Sequence, residues 1–124
     1  MILVLCERGN VRSATAAIIL RDCYGFLDVI PTGVSTTTEP LLHELCHEAD
    51  TIFIVGDDTV KDRFLSIFSE FVFVHIDIGL DVWGRPMDYS LVERLVNWFE
   101  ANLEYKSYPF YGSAENYLRV VNRT

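Results

Sequence analysis

The chain has 124 residues, half of them hydrophobic and 13% aromatic, and a formal net charge of −8. Length and apolar content predict one folded domain with a real core and exclude a disordered chain. The acidic balance argues against a general nucleic-acid or acidic-membrane binder, while leaving room for one locally positive anion site.

In chain order, Ile2-Leu3-Val4-Leu5 reads as a buried strand, Cys6 to Ser13 as a tight polar loop, and Ala14 to Tyr24 as a helix. Ala16, Ala17, Leu20, Cys23 and Tyr24 fall on one stripe of that helix, with Ser13 as its candidate cap and Gly25 as its stop. Phe26 to Ile30 predicts a second strand that exits through Pro31-Thr32-Gly33. A Thr-rich loop, Val34 to Thr38, leads to a helix over Glu39 to Glu48. Thr51 to Val55 is a third buried strand, and Gly56-Asp57-Asp58 is a turn with Asp58 or Thr59 capping a helix to about Phe68. Phe71 to Ile76 is a fourth strand. The next helix starts near Asp88, with Ser90-x-x-Glu93 just inside, and carries Leu91, Leu95, Trp98, Phe99 and Leu103 at helical spacing.

Strand and helix alternate, which predicts an α/β three-layer sandwich: a four-stranded parallel sheet with helices on both faces and right-handed crossovers. Ligands in such sheets bind beyond the strand C-termini where strand order switches, and the loop after the first strand is the place for a site. Residues 1–105 form the expected domain. Residues 106–124 are a tail that folds back on it, adds an edge strand or contacts a partner.

The first loop carries the chemistry. Helix N-termini present unpaired N–H groups and the positive end of the dipole, so they attract anions. Cysteine is nucleophilic as the thiolate, a form such a position favours. Arg12, six residues after Cys6, can close the loop as a bidentate clamp on a tetrahedral oxyanion. Backbone N–H groups from Glu7, Arg8, Gly9, Asn10, Val11 and Arg12 would complete the cradle, with the Ser13 hydroxyl on the sulfur. Nucleophile plus cradle points to cysteine-dependent hydrolysis of a phosphate monoester. The competing reading is a structural corner with a small buried cysteine and a surface arginine.

His43-Glu44-Leu45-Cys46-His47 matches the zinc-protease pattern H-E-x-x-H. Leu42, Leu45, Cys46 and Ala49 cluster on one helical face and both histidines lie off it, with no evident third ligand, so the match reads as chance on a polar face.

At Cys6-x5-Arg12-Ser13, placed after an N-terminal strand and before a helix, the chain resembles the low-molecular-weight protein tyrosine phosphatase family, whose fold thioredoxin-coupled arsenate reductases share. The Ala49-Asp50 entry into the third strand is similar too. The resemblance implies a phosphatase-I-like fold, a phosphocysteine intermediate, and a phosphorylated protein or small phosphate monoester, phosphotyrosine above all, as substrate. No metal or cofactor is expected, because the loop itself supplies the electrostatics; the acidic charge leads to the expectation of no nucleic-acid or membrane partner, and the oligomeric state is left open. The resemblance also implies a general acid after the fourth strand. Asp81 takes that position when counted back from the Asp88 helix, with Asp77 as the fallback, and Val82-Trp83 stands where the family has Pro-Tyr. Trp83 would then be an aromatic wall at the mouth.

The chain departs from the family at several places. Gly9 and Asn10 come one position late, so Gly9 occupies the family's Asn position, where a left-handed backbone suits glycine. Glu7 puts a carboxylate beside the anion site and is expected to turn to solvent. Val11 replaces the second loop cysteine, and Cys23 and Cys46 lie away from the usual arsenate relay. These departures leave a degenerate phosphate-binding or protein-interaction module of the same fold as the non-enzyme alternative. Three widely spaced cysteines suggest no disulfide framework, no run approaches membrane length, and Met1–Cys6 is too short and lacks the basic lead of a signal peptide. A soluble cytoplasmic protein is the expectation.

Overall fold

The computed structural model describes residues 1–79 and 82–123. Four parallel strands, β1 (Ile2–Cys6), β2 (Val29–Gly33), β3 (Thr51–Gly56) and β4 (Val74–Asp77), lie in the order β2-β1-β3-β4. Five helices accompany them among the described residues: α1 (Arg12–Asp22), α2 (Glu39–Glu48), α3 (Asp58–Ile67), α4 (Tyr89–Asn102) and α5 (Ala114–Asn122).

Alternation along the inner strands divides the core in two. Val4, Phe53, Val55 and Ile76 face α1, α4 and α5, where Ala16, Leu20, Leu95, Phe99 and Tyr117 cover them. Leu3, Leu5, Ile52 and Ile54 face the other way, onto Leu42 of α2 and Val60 and Phe64 of α3. Both faces of β1 and β3 are therefore buried, which is why these strands read as unbroken apolar runs. Each large side chain so enclosed contributes on the order of 2 kcal/mol. The result is the three-layer α/β sandwich that the alternating pattern predicts.

Boundaries shift where tertiary pairing outweighs local propensity. The second strand begins three residues later than its apolar pattern suggests and runs through Gly33, because β1 pairs with it from Ile2↔Val29 to Cys6↔Gly33. The fourth strand loses Phe71 to Phe73, since pairing with β3 starts at Phe53↔Val74; Phe71 and Phe73 pack on the α2–α3 side instead. The cap of α3 is Asp57, whose carboxylate accepts the Thr59 N–H at 3.0 Å. Asp88 caps α4 in the same way through Ser90.

The tail folds back as a helix. The Ser113 hydroxyl accepts the Asn116 N–H at 3.0 Å to start α5, which packs against α4. Glu100 on α4 accepts from the hydroxyls of Tyr24 at 2.9 Å and Tyr108 at 2.8 Å, joining the turn after α1, α4 and the tail. Tyr117 is 1% exposed, and its hydroxyl finds no hydrogen-bond partner among the described residues.

An unsatisfied buried hydroxyl costs more than its removal. Tyr117→Phe should leave stability to urea unchanged or raise it by up to about 1 kcal/mol. A clear loss of stability would mean that the hydroxyl has a partner.

Candidate active site

Because β1 lies between β2 and β3, the chain leaves it toward one side first and later passes to the other. The C-terminal ends of β1 and β3 therefore open onto a shared crevice at the switch in strand order. A cleft of about 610 Å³ lies there, lined from the first loop by Cys6, Glu7, Arg8, Asn10, Val11 and Arg12. The rest of its lining comes from Asp57, Thr59, Val60 and Arg63 around the start of α3, together with Trp83 and Gly84.

Cys6 is the last residue of β1 and is 2% exposed. Its sulfur accepts the Gly9 N–H at 3.1 Å, and its S–H donates to the Ser13 hydroxyl at 3.1 Å. With sulfur ionised, the Ser13 hydroxyl is placed to donate in the reverse sense. Ser13 is thus not the helix cap. It sits inside the first turn of α1, whose N-cap is Val11 with no side-chain cap bond, and its hydroxyl is committed to the sulfur.

The loop is held from behind. The carbonyl of Cys6 accepts the Val34 N–H, that of Glu7 accepts both the N–H and hydroxyl of Ser35, and that of Arg8 accepts the Thr36 hydroxyl. Gly9 has φ +79°, and a Cβ there would lie 2.5 Å from the Gly33 nitrogen. A Cβ on Gly33 would meet the Arg8 carbonyl carbon at 2.4 Å. Two glycines therefore let two backbones touch, and the left-handed conformation expected at Gly9 is present.

Arg12 is buried, 5% exposed, in the first turn of α1. Its guanidinium lies over Gly56 at the end of β3, where a Cβ would come within 2.5 Å of Nη1. His75 fixes that corner by donating its Nε2–H to the Gly56 carbonyl at 3.0 Å. Glu7 does not point to open solvent: its carboxylate pairs with Arg63 on α3 at 3.3 Å. Trp83 is oriented by an indole N–H bond to the Ser90 hydroxyl at 2.7 Å, with Arg94 over its ring.

Asp81, the sequence-based candidate for the acid, lies outside the described residues. Asp77 ends β4, accepts the Gly79 N–H at 3.0 Å, and is not among the residues lining the cleft. It brings one ligand atom within 4.8 Å of Asp58 and His75, but Asp58 is paired with Lys61 at 3.3 Å. The H-E-x-x-H segment is remote from the cleft. His43 pairs with Glu70 at 3.1 Å, and both rings pack against Phe71. Cys23 and Cys46 are buried in opposite halves of the core, and burial pushes their thiols up to about 12 and about 11.

The α3 wall is what sequence reasoning missed. A signal was present: a polar Gly56-Asp57-Asp58-Thr59 segment after an apolar strand meets the same rule that located the first loop. In comparisons with known proteins, no family model, curated protein or solved structure matches the chain.

Gly9→Ala and Gly33→Ala should each lower stability by about 2 kcal/mol or more, through strained backbone at Gly9 and collision at both positions. Chemical denaturation reads this directly, and wild-type stability in either variant would contradict the described contact.

Proposed function

We propose that the protein is a cysteine-dependent phosphate monoester hydrolase of the low-molecular-weight protein tyrosine phosphatase type, working in the cytoplasm through a phosphocysteine intermediate. The observation that carries this reading is the Cys6 sulfur, seated between the Gly9 N–H and the Ser13 hydroxyl at the floor of a cleft that Arg12 also lines. A buried arginine beside a sulfur held by hydrogen-bonding groups suits an anionic nucleophile meeting an anionic substrate.

In the first step the Cys6 thiolate attacks phosphorus, and an S–P bond forms as the bond to the leaving oxygen breaks. Loop N–H groups and the Arg12 guanidinium hold the three non-bridging oxygens. Asp81 gives its proton to the leaving oxygen. In the second step Asp81 takes a proton from water, whose oxygen attacks phosphorus. The S–P bond breaks, releasing inorganic phosphate and restoring the thiolate. This scheme calls on no metal. Trp83, held by Ser90 and lining the cleft, offers a face for an aryl leaving group, which favours phosphotyrosine. Three free cysteines suit a reducing compartment, and no described helix is long and apolar enough to cross a membrane.

Arsenate reduction is disfavoured because both other thiols are buried, one on each side of the sheet, and pushed toward the protonated form. The second reading is a degenerate phosphate-binding or protein-interaction module without turnover, favoured by Glu7, whose carboxylate beside the sulfur opposes both thiolate and phosphate.

Hydrolysis of para-nitrophenyl phosphate in the presence of EDTA separates these readings. The wild type should turn over, while Cys6→Ser loses about a thousandfold or more. Arg12→Lys should lose roughly a hundredfold, and Asp81→Asn should lose most on substrates with the poorest leaving groups. Phosphate binding without turnover over a wide pH range would favour the module.

A further inference from the structure

We infer that Arg63 is a positioning residue that holds the Glu7 carboxylate out of the phosphate site, an inference that rests on the reading of the Cys6 loop as a phosphate cradle. Glu7 directly follows the nucleophile, and an unrestrained carboxylate there is the worst neighbour for an incoming phosphate. Its backbone cannot move aside, because its carbonyl is fixed by the Ser35 N–H at 2.9 Å and the Ser35 hydroxyl at 2.7 Å. Only side-chain torsions are left to decide where the charge goes.

The cleft offers that charge two destinations. One is Arg63, 3.3 Å away, on a helix anchored by buried Val60 and Phe64 and capped by Asp57. The other is the cradle, where Arg8 and Arg12 line the same cleft. A carboxylate turned onto Arg12 would take the place of a phosphate oxygen, so Glu7 carries a built-in competitor of the substrate. Among the described residues, Asp57 is the other carboxylate lining the cleft, and its cap bond to Thr59 keeps it occupied. Arg63 is 49% exposed and Glu7 28%, so the pair is worth little to folding. Its effect lies in where it holds one negative charge.

A double-mutant cycle tests this, read by steady-state kinetics on para-nitrophenyl phosphate and by calorimetric binding of inorganic phosphate. Arg63→Ala should raise KM and the phosphate Kd about tenfold, the change expected if Glu7 then occupies the cradle nine-tenths of the time. Its kcat should hold within about twofold, because an internal competitor weakens binding and leaves the chemical step intact. Glu7→Gln should bind phosphate more tightly than the wild type. The double variant should return to the wild-type value or better. Lys61→Ala, which removes a cation from the same helix but outside the cleft, should leave KM unchanged.

If Arg63→Ala matches the wild type, the inference is overturned. It is also overturned if the double variant stays as impaired as Arg63→Ala, since Arg63 would then meet the substrate directly. Coupling in phosphate binding without turnover would uphold the pair and reject the hydrolase. Turnover without coupling would do the reverse, and absence of both phosphate binding and turnover would reject both.

Discussion

A loop proposed to cradle an anion must keep most of its N–H groups for the ligand, so apart from the Gly9 N–H on the Cys6 sulfur it gains little by pairing them with itself. It has to be held by its carbonyls from the other side. Residues 6 to 8 meet this constraint through the segment after β2: Val34, Ser35 and Thr36 donate to three successive carbonyls. Contact this close requires backbone against backbone, and Gly9 and Gly33 supply it. The β1–β2 register, which sets Cys6 beside Gly33, is therefore a condition on the site as well as on the sheet. The Thr-rich segment is the brace of the loop, which explains a composition that no helix or strand pattern would ask for.

The second strand neighbour of β1 supplies the other half. The end of β3 comes against Arg12 at Gly56, and α3 rises from there to line the same cleft. The β3–α3 unit thus does three things: the glycine ending β3 makes room for a buried guanidinium, Asp57 is committed as the cap of α3, and the second turn of α3 brings Arg63 to Glu7. A chain of net charge −8 thereby collects Arg8, Arg12 and Arg63 in one cleft. Glu7 and Asp57 line it too, so the described lining is only slightly cationic in formal charge, yet it is opposite in sign to the chain as a whole, which suits a small anion better than a polyanion that must contact a wide surface.

Much of the fold was legible because burial and periodicity coincide. The inner strands β1 and β3 are apolar on both faces, and α2 and α4 carry clear stripes with recognisable starts. What failed did so where long-range pairing or a side-chain commitment intervened. The start of β2 is fixed by its partner and not by the apolar run Phe26 to Ile30. Phe71 and Phe73 have strand-like character yet serve the core from an irregular segment. Ser13 has the chemistry of a cap but is drawn to the sulfur, and Val11 takes the cap position. The α5 helix was hidden because its stripe of Tyr117, Leu118 and Val121 is short and follows a run of turn-forming residues. At the site, the local motif from Cys6 to Ser13 was readable in one dimension. The α3 wall and the Glu7–Arg63 pair were not, since they arise from strand order.

The central claim is that the Cys6 sulfur becomes the phosphoryl carrier. Rapid acid quenching during turnover, followed by mass spectrometry of the intact protein and its peptides, tests it most directly. The account predicts one added phosphoryl group on the peptide holding Cys6, abolished in Cys6→Ser and increased under conditions where the water step is slowed. Turnover with no adduct on Cys6, or an adduct on another residue, would contradict it.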